Sequence, residues 1–178
     1  MKKLAVAVIG IAIIALAAYL VFRIHNKIQQ KQITEKITAT IPLFTFQTET
    51  HQNFGKQNIA DTLGNIVFML FSPTCEHCQY MAQTMVSNKQ QIKNVQVIMV
   101  TPFADSAAVV QFAQTYGLNT LPNVQLLLDR KMNFPKIFGA TLTPSFFIYK
   151  NNRLVKTITG ETKLENLLAP FTSPEGKK

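Results

Sequence analysis

Residues 66–71 (Ile-Val-Phe-Met-Leu-Phe) carry no polar side chain and run directly into Ser72-Pro73-Thr74-Cys75. An apolar run of this length, entered from the turn signal Gly64-Asn65, is typical of a central strand buried on both faces. A strand of that kind needs partner strands at its edges and helices above and below. It therefore points to a layered α/β domain.

The downstream pattern fits that frame. A helix is expected over about 75–89, with Met81, Met85 and Val86 on one face. Residues 95–101 read as a second buried strand. Residues 105–116 read as a helix, capped by Asp105 or Ser106 and stopped at Gly117. Val124–Leu128 is short and apolar, and 131–138 suits a helical turn or short helix. Residues 145–149 and 154–159 read as strands joined across the turn Asn151-Asn152. A helix over 161–169 closes the chain. Upstream, 41–47 is expected as a strand, 51–56 as a turn and 58–63 as a short helix or irregular link. The order implies an α/β sandwich with a mixed central sheet. Hydrophobic residues make up 47% of the chain and charged ones 15%, which favours a folded core over disorder.

The N-terminus has a different character. Lys2 and Lys3 precede nineteen uncharged residues, 4–22, which Arg23, His25 and Lys27 bring to an end. As a helix this run would span about 28 Å, close to a hydrocarbon core of ~30 Å. A signal peptide cut after Ala15-Leu16-Ala17 is the competing reading. The apolar run continues past that point to Phe22, which favours an uncleaved signal anchor. The chain then divides into an anchor (1–23), a Gln- and Lys-rich stalk (24–40), a domain (41–170) and a polar tail (171–178). Positive charge flanks both ends of the run, so charge asymmetry alone does not orient it. The export-type start and the cysteine chemistry place the domain outside the cytoplasm.

The net charge is +9. The basic residues of the domain are scattered, with no Lys/Arg run interleaved with aromatics. That pattern fits a solvated face and argues against a nucleic-acid partner.

Two cysteines three residues apart, Cys75 and Cys78, cannot form a disulfide framework. They close too small a loop to add much chain-entropy stabilisation. At a helix start, residues i and i+3 share a face, so the sulfurs can join or separate. Cys75 would sit beside unpaired N–H groups at the positive end of the helix dipole, which favours thiolate and makes it the nucleophile. Cys78, one turn in, would resolve the mixed disulfide. His77, when protonated, would stabilise the Cys75 thiolate, and Glu76 would oppose it. Zinc, haem and purely structural roles compete. The second ligand pair of a zinc site is missing, with only His25, His51 and His77 to add. Gln79 stands where haem attachment needs His. The strand-to-helix context favours redox chemistry over these.

The segment Phe71-Ser72-Pro73-Thr74-Cys75-Glu76-His77-Cys78 resembles the active-site segment of thioredoxin-like proteins. Residues 139–149, through Thr143-Pro144, resemble their second signature. Asn151-Asn152-Arg153-Leu154-Val155 and Thr159-Gly160 resemble the family's hairpin and closing glycine. The stretch from Tyr116-Gly117-Leu118 into 126–129 resembles the extra element of the anchored TlpA/ResA-like, or redoxin, group. The likeness covers about 41–169. It implies a three-layer sandwich with helices on both faces of a mixed sheet. It also implies a cis Pro144 facing the cysteines, which would expose the Thr143 backbone to pair with a bound partner segment. Further, it implies a redox-active Cys75–Cys78 disulfide in place of a cofactor or metal. Protein thiols and disulfides would be the substrates, and a membrane or envelope thiol the electron donor. Three departures stand out: Thr74 in place of Trp before the first cysteine, Met81 in place of an acid, and no acid within 66–71.

The expected function is thus a single-pass, membrane-tethered thiol–disulfide oxidoreductase facing the periplasm or cell exterior, with reduction the favoured direction. The alternatives are a peroxiredoxin-like peroxidase, a copper accessory protein and a non-catalytic binding module. The peroxidase spacing Pro-x-x-x-Thr-x-x-Cys is not matched by Pro73-Thr74-Cys75. Copper accessory proteins use Cys-x-x-x-Cys, one residue longer than the pair here.

Overall fold

The computed structural model describes residues 2–59 and 64–172; the side chains of 2–9, 11 and 12 also lie outside the description. The expected tail from 173 onward and residues 60–63 of the expected link fall outside it. The chain divides into two compact units, Met1–Lys36 and Ile37–Lys178.

Helix α1 runs unbroken over Lys2–Thr38, so most of the expected stalk is helical. In the first unit Ile13, Ile14, Leu16, Tyr19, Leu20, Val21 and Phe22 are all exposed. Among the described residues no helix is long and apolar enough to cross a membrane. The span expected at 4–22 falls in part on the side chains outside the description.

The second unit is built from β1 (Thr45–Gln47), β2 (Asn53–Gly55), β3 (Asn65–Leu70), α2 (Glu76–Ser87), α3 (Lys89–Ile92), β4 (Gln96–Thr101), α4 (Ser106–Tyr116), β5 (Val124–Leu128), α5 (Asn133–Phe138), β6 (Ser145–Lys150), β7 (Arg153–Thr159) and α6 (Leu164–Thr172). The strands lie in the order β2-β1-β5-β4-β3-β6-β7. β5, β4 and β3 are parallel. β6, β7, β1 and β2 pair antiparallel, which makes the sheet mixed.

Strand β3 shows why its sequence reads as it does. Val67, Met69 and the following Phe71 enter a core with residues of α2, α4 and α6. Ile66, Phe68 and Leu70 enter a second core, with α5 and Ile41, Phe44 and Phe46. Period-two alternation with both faces covered leaves no room for a polar side chain.

Local signals act as their chemistry dictates. The Asp105 carboxylate accepts from the Ala108 N–H at 2.9 Å and caps α4. Gly117 ends α4 in the left-handed region at φ 72°. Asn151 and Asn152 both have positive φ, 49° and 65°, as a tight two-residue hairpin requires.

Four boundaries differ from expectation. The first strand starts at Thr45, not 41. Ile41 is held irregularly instead, its N–H donating to the Asn152 side chain (3.2 Å) and its carbonyl accepting from Lys56 Nζ (2.7 Å). Residues 53–55 form β2 rather than part of a turn; the reversal sits at 48–52, where His51 has φ 62°. The helix expected to 89 breaks at Asn88, whose side chain donates back to the Thr84 carbonyl at 2.8 Å. The closing helix starts at Leu164 rather than 161, and Glu161, ahead of it, pairs with His77 of α2.

Candidate active site

Strand β3 delivers the chain to one edge of the core, and the turn 72–75 aims it into α2. The Cys75 N–H donates to the Ser72 carbonyl at 3.1 Å, and the Ser72 and Thr74 hydroxyls lie 3.0 Å apart. Cys75 is the N-cap of α2, with extended backbone and a carbonyl that accepts from the N–H groups of Cys78 (2.9 Å) and Gln79 (3.0 Å). The Gln79 side chain donates to the Pro73 carbonyl at 2.9 Å and fastens the turn to the helix.

The second half of the site comes from the antiparallel neighbour. Leu70, the last residue of β3, pairs with Ser145, the first of β6. The residues just before β6 therefore stand beside those just after β3. The Thr143–Pro144 peptide bond is cis. The Cys75 thiol donates to the Thr143 carbonyl at 3.6 Å. The Ser145 hydroxyl donates to the Leu142 carbonyl at 2.7 Å, and the Gly160 N–H donates to the Pro144 carbonyl at 2.8 Å. Thus two positions 68 apart in sequence are brought together so that Thr143 meets Cys75.

Both cysteines are free thiols, Cys75 partly exposed and Cys78 buried. Burial pushes the Cys75 thiol up, but hydrogen bonding by the Thr143 and Cys78 side chains and by the backbone of Cys78 and His77 outweighs it, leaving Cys75 below the usual thiol range. The opposite holds one turn on. Burial pushes Cys78 up to about 12, with a smaller opposing contribution from the Ser72 backbone. Neighbouring thiols are thus split by environment into one that ionises readily and one that resists.

Glu76 and His77 are both exposed at the start of α2. The His77 ring reaches Glu161, with Nδ1 and Oε2 2.5 Å apart. Hydrogen bonding to Glu161 and its charge raise the imidazole above its ordinary value, with Cys75 and Glu76 adding to the effect. Sequence reasoning missed Glu161. Its one local signal is its place directly after the closing glycine, Gly160.

The departures have structural counterparts. Thr74 is exposed, and Met81 is fully buried in the core that also holds Cys78. Among the described residues Asp129 is the only buried acid. Its carboxylate accepts the Phe134 N–H of α5 at 2.6 Å. No three His, Cys, Asp or Glu side chains among the described residues are grouped to hold a metal ion.

The fold defines the class first: this is a thioredoxin-like α/β protein, here with a Cys-x-x-Cys pair facing a cis proline. The chain belongs to the AhpC/TSA family, whose model matches residues 37–158. It is similar to a secreted disulfide oxidoreductase of Mycobacterium tuberculosis homologous to E. coli DsbE, at 18% identity and a TM-score of 0.59, over 71% of this chain and 92% of that one. It is similar also to StoA from Bacillus subtilis, at 18% identity and a TM-score of 0.55, over 72% of this chain and 96% of that one. A peroxiredoxin-like protein from Aquifex aeolicus shares the fold at 14% identity and a TM-score of 0.59, over 75% of this chain and 84% of that one. Among curated proteins no match is found.

Proposed function

We propose that this chain is a thiol–disulfide oxidoreductase, tethered to the cytoplasmic membrane by its N-terminal helix and acting on protein disulfides outside the cytoplasm. The observation that carries this reading is the geometry of the pair: Cys75, partly exposed at the N-cap of α2, meets the Thr143 carbonyl before the cis Pro144, and Cys78 lies buried one turn on. This environment lowers the Cys75 thiol and pushes Cys78 up. Exchange needs one sulfur that attacks and one that stays protonated until its turn comes.

In this reading exchange runs in two steps. The Cys75 thiolate attacks one sulfur of a partner disulfide. A Cys75–partner bond forms, and the partner's second sulfur leaves as a thiolate that takes up a proton. The partner chain lies against the half-buried Thr143, whose carbonyl is freed when Cys75 gives up its proton. Cys78 then loses its proton, attacks Cys75 and expels the first partner sulfur. The partner ends as a dithiol and this chain as the Cys75–Cys78 disulfide. Two electrons and two protons have moved to the partner. An envelope thiol donor returns the pair to the dithiol by the same exchange. In this reading reduction of the partner is the working direction.

Tethering is supported by the apolar run 4–22 and by the exposure of the apolar side chains described in α1. A reporter fused at the C-terminus is expected to be active only outside the cytoplasm; cytoplasmic activity overturns the localisation.

Insulin-disulfide reduction tests the chemistry. Cys75→Ser is expected to abolish it, and Cys78→Ser to accumulate mixed disulfides with insulin. Full activity in either variant sinks the mechanism. A peroxidase is the second reading, favoured by the likeness to the Aquifex aeolicus protein. It predicts hydrogen peroxide consumption that needs Cys75 and outpaces insulin reduction.

A further inference from the structure

Gly160 and Glu161, at the exit of β7, touch both halves of the site. The Gly160 N–H grips the Pro144 carbonyl at 2.8 Å. The next side chain crosses to α2, where the Glu161 carboxylate meets His77 Nδ1 at 2.5 Å across 84 residues of sequence. One elbow therefore ties the proline loop to the cysteine helix. Its two contacts differ in kind, since the first is backbone to backbone, while the second requires these two side chains.

We propose that Glu161 is a positioning residue for the Cys75 sulfur. Its carboxylate accepts the Nδ1 proton of His77 and keeps a positively charged ring beside Cys75. The inference rests on the reading of Cys75 as the attacking thiol.

The physical case is direct. His77 lies two residues past Cys75 at the start of α2, and its backbone helps to lower the Cys75 thiol. Its ring also feels the charge of Cys75. An imidazolium there favours thiolate; a neutral imidazole gives little. On α2 the charged or titratable groups around the ring are Cys75, Glu76 and, one turn on, Tyr80. From the segment between β7 and α6 they are Glu161, Lys163 and Glu165, the last two lining a groove against α2 with Tyr80 and Gln83. Of these, Glu161 alone is hydrogen-bonded to the ring. Glu161 thus acts through His77, and the carboxylate alone, being negative, would oppose the thiolate.

That indirectness makes the test sharp. The full-length reduced chain in detergent micelles is titrated with iodoacetamide, counting one modification by mass, to give the pH midpoint of Cys75 alkylation. Cys78 does not compete below pH 9, being pushed up to about 12. Glu161→Gln is expected to move the Cys75 midpoint up by about half a pH unit, the scale of an exposed ion pair. By NMR, the His77 titration midpoint falls in the same variant, and Glu161→Asp recovers most of both shifts. In the His77→Gln background Glu161→Gln leaves the Cys75 midpoint unchanged or lowers it, because only the negative charge remains to be removed.

An unmoved His77 midpoint in Glu161→Gln overturns the proposal. So does an upward Cys75 shift of equal size with and without His77, the pattern of a merely structural tie. These readouts follow one sulfur and one ring, not turnover. If Cys75→Ser keeps full insulin reductase activity while these shifts appear, the proposed function fails and the positioning stands.

Discussion

The two faces of the sheet are packed with different materials. On the face away from α2, eight aromatic rings form one connected cluster: Phe44, Phe46, Phe54, Phe68, Phe134, Phe138, Phe147 and Tyr149. Neighbouring centroids are separated by 4.3 Å for Phe134–Phe138, 5.3 Å for Phe68–Phe138 and 5.8 Å for Phe68–Tyr149. On the thiol face the core holds Met69, Met81, Met85 and Met99 with aliphatic residues, and its main aromatic group is Phe71, Phe112 and Tyr116. Rings fill space with few rotatable bonds and fixed geometry; thioethers adapt. The aromatic face is therefore the anchor, and the methionine face is the one that holds the two thiols. Cys78 is itself a member of that second core, so the resistance of its thiol is a property of the packing around it.

The largest effect that tests this division is Phe134→Ala. Phe134 is fully buried and belongs to α5, a helix of six residues that cannot stand on local propensity. The substitution is expected to cost about 3–5 kcal/mol, read by urea unfolding from the near-UV tyrosine signal. In the population that stays folded, the pH midpoint of Cys75 alkylation should not move. A shift at Cys75 would show that the two faces are mechanically coupled and would break the comparison.

The second prediction concerns pH and the thiol face alone. Cys78 is neutral in the folded chain up to about 12, whereas an unfolded thiol ionises near 9. A raised thiol favours folding fully at pH values below the unfolded midpoint. Above about 9 the unfolded chain gains by ionising first, so the stability of the reduced protein falls as pH rises toward 12. Cys78→Ala is expected to remove most of that slope in urea midpoints measured from about pH 8 to 10, below the range where Tyr149, also pushed up by burial, adds a slope of the same sign. A slope that persists in the variant assigns it to other groups and refutes the burial account of Cys78.

The aromatic anchor and the thiol site were unequally legible in sequence. Residues 66–71, Asp105, Gly117 and the Asn151-Asn152 turn act through neighbours close along the chain or through period-two alternation, so their signals are local. Cys75 and Cys78 sit one helical turn apart and declare themselves in the same way. The pair His77–Glu161 joins positions 84 apart, and neither residue alone points to the other. The three residues of β2, Asn53-Phe54-Gly55, carry no alternation long enough to signal a strand and suit a turn by sequence; pairing with β1 makes them a strand. Ile41 is apolar enough for a strand, yet its backbone is claimed by Asn152 and Lys56, two residues far along the chain.

The smallest effect expected is at Met81. It is fully buried on α2, one turn past Cys78 and in the same core, where thioredoxin-like proteins often carry an acid. Met81→Leu keeps the volume and removes the sulfur, so it should cost less than about 1.5 kcal/mol. The pH slope of stability should stay as it is, because a leucine shields Cys78 from water as well as a methionine does. If adaptability is the property that matters on this face, the variant should still slow the second exchange step, measured as persistence of the mixed disulfide with insulin, because Cys78 must shift to reach Cys75. A mixed disulfide resolved as fast as in the parent would mean that the methionine face serves only to keep Cys78 dry, and that the softness of its packing has no part in the chemistry.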